Sequence, residues 1–233
     1  MSTSAEPRRN SLDRRRRGAV ALGLAGLLFA VFPLIRPFGD DPSRGSEAVA
    51  ATLASDAWVG SHLVLAFGFV LLNFGVMALY AHIRATGVER LAFISMIVTL
   101  IGATLLVGAA SVEGVALNAF GKLQLRGEAD VLAGMTAVRG GPAGVLFLGG
   151  LVALAVGGVL FAIAIWRSAA LPRWAGVALG IGFVLFLPFT PQPIRIVDGI
   201  LIGIGAIGLG WRIWTSHAER SEMIAASASR LPG

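Results

Sequence analysis

Six stretches of nearly continuous apolar residues, at approximately 18–36, 58–80, 91–112, 143–166, 174–190 and 194–214, decide most of what this chain can become. A hydrocarbon core about 30 Å thick is crossed by roughly 20 apolar residues in a helix. Six such runs predict an all-α polytopic membrane protein with six transmembrane helices. Composition agrees: 14% of residues are charged, against about 25% in soluble domains. The chain divides into an Arg-rich tail (1–17), a membrane domain (18–214) and a second, flexible tail (215–233). The first run is longer than a signal-peptide core and ends in PLIRPF without a cleavage motif, so it reads as a span. The fifth ends in LPFTPQP, whose Pro188, Pro191 and Pro193 predict a tight turn.

Six spans place both termini on one side, and the basic residues say which. With the N-terminus inside, thirteen of the nineteen Lys and Arg lie in cytoplasmic segments; the other six are Arg36, Arg44, Lys122, Arg126, Arg139 and Arg195. The positive-inside rule therefore predicts a plasma-membrane protein with both termini cytoplasmic. The run Arg14–Arg17 reads as an anchor on anionic lipid headgroups. No folded basic domain or aromatic platform accompanies it, so nucleic acid is not an expected partner.

Two inner turns resemble each other. LYAHIRATGVERLAF and IAIWRSAALPRWAGV each bracket five residues with Arg (Arg84 and Arg90, Arg167 and Arg173). This suggests a parallel repeat of helices 2–3 and 4–5, although any short cytoplasmic turn gathers Arg at its ends. Small residues recur every fourth position: Gly149, Ala153 and Gly157, Gly150 and Gly158, Gly176 and Gly180, Gly199 and Gly203. Such stripes let helix backbones approach closely in lipid, within the chain or in a homo- or hetero-oligomer.

Depth sorts the polar residues. Glu113 lies about 34 Å beyond Arg90 along a helix, at the outer limit of a core of about 30 Å. His62 lies about 6 Å past Trp58, an aromatic of interfacial type. Asp198 is about 20 Å from Trp211, which leaves it roughly 10 Å below the outer surface. An acid at that depth is costly and marks a candidate site. Its local partner is Arg195, one turn earlier on the same face. Asp198, Glu113, His62 and Arg195 thus form the candidate ligand-binding cluster, at the outer ends of helices 2, 3 and 6. The competing reading is an Arg195–Asp198 pair that ties the turn to its helix. Asn73, deep in helix 2, is expected to make one interhelical hydrogen bond. Residues 37–57 and 113–142 form longer outer segments, with a short helix after Ser46 and a surface helix closed by Gly140-Gly141-Pro142.

Residue counts exclude several intramembrane chemistries. A retinal Schiff base needs an embedded Lys, and the one Lys is Lys122 in an outer segment. His62 and His82 stand about 30 Å apart on one helix, too far to hold a haem together. His62, Glu113 and Asp198 lack the spacing of a zinc site. No P-loop, HExxH or nucleophile elbow occurs. No metal, cofactor or catalytic residue is therefore assigned.

Three motifs together carry a resemblance: Asp56, Trp58 and His62 at the start of helix 2; Glu113-Gly-Val-Ala-Leu117; and Leu171-Pro-Arg-Trp-Ala-Gly176. Over approximately residues 50–215 the chain resembles a family of small bacterial six-helix membrane proteins without an assigned activity. The resemblance implies six helices and a bacterial plasma membrane, and transfers no chemistry. Two functions stay in play: a ligand-binding or transport-related protein with an outward polar vestibule, or a structural or accessory subunit.

Overall fold

The computed structural model describes the backbone of residues 6–186 and 192–228, and the side chains of 13–186 and 192–216. Among the described residues the fold is helical, with no strand: α1 (Glu6–Ile35), α2 (Ser46–Leu53), α3 (Asp56–Ile83), α4 (Glu89–Leu125), α5 (Val131–Gly140), α6 (Pro142–Ser168), α7 (Arg173–Leu185) and α8 (Gln192–Ala228). Four stretches are long and apolar enough to cross a membrane: Asp13–Ile35, Asp56–Leu125, Pro142–Ser168 and Gln192–Ser216. The second is 70 residues long and contains both α3 and α4. It bends at Arg84–Val88, where Thr86 leaves the helical region and Gly87 adopts φ +79°, a conformation open to glycine. Helix α7 is apolar but has only 13 residues, about 20 Å. The proline turn expected at 188–191 lies outside the described residues; Pro193 falls in the first turn of α8.

The long helices pack in chain order. Helix α1 lies on α3, α3 on α4, α4 on α6, α6 on α7, α7 on α8, and α8 returns to α1, which closes a ring. Its interior holds Phe29, Phe69, Phe161 and Phe183, all nearly inaccessible. The outer face is equally apolar: Leu27, Phe67, Phe74, Ile101, Val152 and Ile204 are roughly half exposed or more. Apolar side chains all round such a surface suit lipid rather than water. At one end of the ring, exposed Trp166, Trp174 and Trp211 mark an interfacial belt. Arg173 stacks over Trp166 at 5.1 Å, and Arg16 over Trp214 at 4.2 Å.

The small-residue stripes are used inside the ring. A Cβ on Gly150 would stand 2.9 Å from Leu106, and one on Gly199 would stand 2.7 Å from the Phe29 carbonyl. Gly158, Gly176, Gly180 and Gly203 likewise face neighbouring helices of the same chain, whereas Gly149 has nothing within 4 Å. The two Arg-bracketed turns differ in backbone: the first relies on Gly87, the second on Ala169 at φ 51° followed by Pro172.

Three expectations need correction. Helix α4 does not end near Glu113; it runs on to Leu125, 37 residues in all. At about 55 Å it outreaches a core of about 30 Å. Its last turns join α2 and α5 in a cap with its own buried cluster of Val49, Leu53, Trp58, Leu117, Val131 and Met135. Residues 37–57 and 113–142 thus contribute to a folded cap, and Lys122–Leu125 belong to α4 instead of a separate surface helix. Trp58 is fully buried there, so it is no interfacial anchor. Asn73 Oδ1 has no hydrogen-bond partner among the described residues, so the expected interhelical bond is not made through it.

A charged cavity between ring and cap as the candidate functional site

The cap is stitched to the ring by side chains of α4 and α3. Asn118 donates from Nδ2 to the Leu53 carbonyl at 2.7 Å, which satisfies an end of α2. Trp58 donates from Nε1 to the Glu113 carbonyl at 3.3 Å. Gln124 accepts from the Val131 amide at 3.0 Å, and Asp130 caps α5 through the Leu132 and Ala133 amides. These bonds fix α5 above the end of the ring opposite the tryptophan belt.

Four charges bridge cap and ring in alternation. Arg139 on α5 donates from Nε and Nη2 to Glu113 Oε1 at 3.0 and 2.6 Å, and from Nη2 to Asp40 Oδ2 at 2.8 Å. Asp40 also accepts from Arg36 Nη2 at 2.9 Å. Arg36 in turn lies over the Trp58 ring at 4.8 Å and the Phe38 ring at 5.1 Å. Burial alone would raise the Asp40 carboxyl, but Arg36 and Arg139 together hold it below its usual value. Burial likewise opposes the Arg139 charge, and the pull of Glu113 and Asp40 outweighs it, so the guanidinium is held above its usual value.

Beneath α5 lies a cavity of about 920 Å³, near the upper end of the roughly 300–1,000 Å³ typical of ligand sites. Its charged rim includes Arg36, Asp40, Glu113, Arg139 and Arg195. Its floor is Leu65, Phe69, Leu106, Phe147 and Phe186. Phe69 and Phe186 meet edge to face at 5.9 Å, and each packs likewise on Phe29, at 5.0 and 5.9 Å.

His62, Glu113 and Arg195 all line this cavity, as the sequence grouped them. His62 is 4% exposed and its Nδ1 lies 2.8 Å from the Trp58 carbonyl. A carbonyl only accepts, so Nδ1 carries the proton and Nε2 is the remaining polar atom. The helices meet tightly here: a Cβ on Gly114 would stand 2.7 Å from that of His62. Asp198 is placed differently. It is 3% exposed and is not among the cavity-lining residues. Its interactions are with Arg195 and the Gly199 amide, on a segment wedged against α1 and α7. Arg195, on the cavity wall, acts on Asp198 through its charge. Arg36, Asp40 and Arg139 were missed as site residues because the chain alone counts them as outer-loop charges. The concentration of Arg36 and Asp40 within PLIRPFGDD was the available signal. Among the described residues, no three His, Asp or Glu side chains converge as metal ligands would.

No family model, curated protein or solved structure matches the chain.

Proposed function

We propose that the chain is a six-span protein of a bacterial plasma membrane, both termini cytoplasmic, with the capped cavity facing outward as a ligand-binding or transport-related vestibule. On this reading it belongs with the small bacterial membrane proteins that its three motifs resemble. The observation that carries the reading is the cavity of about 920 Å³ that joins a charged rim to an apolar floor. Orientation follows from the thirteen basic residues that the sequence assigns to the inner segments, against six in the outer ones. Helix α7, with 13 residues, is about 20 Å long and crosses only part of a core of about 30 Å.

The test uses the absence of cysteine from the chain. Ala110 lines the cavity from α4 and is 4% exposed. In purified protein, Ala110→Cys is expected to react with a small charged methanethiosulfonate reagent before any unfolding. An unreactive thiol in folded protein would contradict an open vestibule.

One observation favours the second reading, a structural or accessory subunit. Arg36, Asp40, Arg139 and Glu113 already neutralise one another, as a staple between cap and ring would. The same labelling separates the two, since a staple needs no solvent path to Ala110.

A further inference from the structure

The cavity's two ends differ in chemistry along the helix axes. His62 and Glu113 stand at the level of the charged rim. One to two turns deeper, the walls become Leu65 and Phe69 on α3 and Leu106 and Ala110 on α4. Phe69 and Leu106 are each seven positions from the rim residue of their helix, about 10 Å. Phe147 and Phe186 complete this lower part from α6 and the end of α7. A water-soluble ion would leave such a floor unused.

The wall also reaches the lipid-facing surface. Leu148 lines the cavity, yet it is 53% exposed. It stands beside Val145 and Val152, at 70% and 60% exposure, on the outward stripe of α6. A molecule could thus pass from lipid into the cavity along the Leu148 edge without leaving an apolar surface.

Charge sets the head. Arginines 36, 44, 139 and 195 face Asp40, Asp41 and Glu113 around the rim, an excess of one positive charge. The acid next to Arg195, Asp198, stays outside the lining. We propose that the ligand is a single-chain amphiphile with an anionic head, held head-up at Arg36, Arg139 and Arg195 with its chain among Phe69, Leu106, Phe147 and Leu148. This rests on the vestibule reading and names the ligand class for it.

The experiment is native mass spectrometry of the full chain in a neutral detergent. It is titrated with dodecyl phosphate, dodecylphosphocholine and inorganic phosphate. Expected is one dodecyl phosphate per chain, bound at least about tenfold more tightly than dodecylphosphocholine, a difference of about 1.4 kcal/mol. Inorganic phosphate should neither bind nor compete. Arg195→Gln should erase the preference between the two heads, while Leu148→Trp, at the exposed edge, should weaken both amphiphiles alike. Folding of each variant is checked by its elution and helical circular dichroism, and if Arg195→Gln does not fold, Arg36→Gln takes its place. Competition by inorganic phosphate would overturn the amphiphile and leave a head-group site. Equal binding of the two amphiphiles, unchanged by the arginine variant, would overturn the anionic head. No binding by any probe, in protein whose Ala110→Cys thiol is reactive, would overturn the inference while the open vestibule stands.

Discussion

At the scale of single residues, Arg139 joins the cap to the ring by charge. It forms ion pairs with both Glu113 and Asp40, at 2.6 and 2.8 Å. Its side chain is 29% exposed and its partners 20% and 16%. The pair energies therefore fall between those of exposed and buried bridges. Arg139→Ala should cost about 1–3 kcal/mol, read as reversible unfolding in mixed micelles. Glu113→Gln combined with Arg139→Ala should cost less than the sum of the two singles, because the second change removes an already stranded charge. Acid acts on the same chain of charges. The folded Asp40 carboxyl lies below its reference value of 3.8, so the folded state holds fewer protons on it than the unfolded state. Its contribution is complete above about 3.8 and is lost as pH falls through the lower folded value. Protease sensitivity of the cap should thus stay flat from neutral pH to about 4 and rise only below that; a rise beginning near pH 6 would assign the transition elsewhere. His62 and Glu113 were legible as neighbours on the cavity wall because a polar group within or beside an apolar run stands out. Arg139 was not, since nothing in sequence places residue 139 against residue 40.

At the scale of elements, spacing alone revealed the close contacts but not the cap. Small residues every fourth position pointed to tight helix packing, and the structure brings Gly157 of α6 against Thr99 of α4, with a built Cβ only 2.8 Å from the Thr99 amide nitrogen. Backbone cannot move aside as a flexible side chain can, so Gly157→Ala should destabilise by about 1–3 kcal/mol. Gly149, two turns away on the same helix with nothing within 4 Å, is its control. Gly149→Ala should be neutral or stabilising by up to about 1 kcal/mol through helix propensity. Similar losses at both positions would mean that Gly149 meets a partner chain. The cap escaped the sequence reading because Glu113 looked like a boundary. A helix leaving lipid has no reason to stop at an acid whose charge is met, and here α4 continues for three more turns to hold α2 and α5. The Trp58 misreading has the same origin. An aromatic near a span end usually meets headgroups, but a folded layer above it turns that surface into core.

At the scale of the whole molecule, membrane character was the most legible property, because charge density and run length are written directly in the chain. The closed ring was not, since the return of α8 to α1 pairs segments more than 150 residues apart. The ring gives the account its central claim: one end carries basic turns and a tryptophan belt, the other a capped cavity that we propose faces the outside. Two single-cysteine variants in intact cells test it most directly. Thr136 lies on α5 at the cavity rim and Ala85 in the turn between α3 and α4, and both are exposed. With a membrane-impermeant thiol reagent, Thr136→Cys should be labelled in sealed cells and Ala85→Cys only after permeabilisation. Labelling of Ala85→Cys in sealed cells, with Thr136→Cys protected until the membrane is opened, would contradict the account.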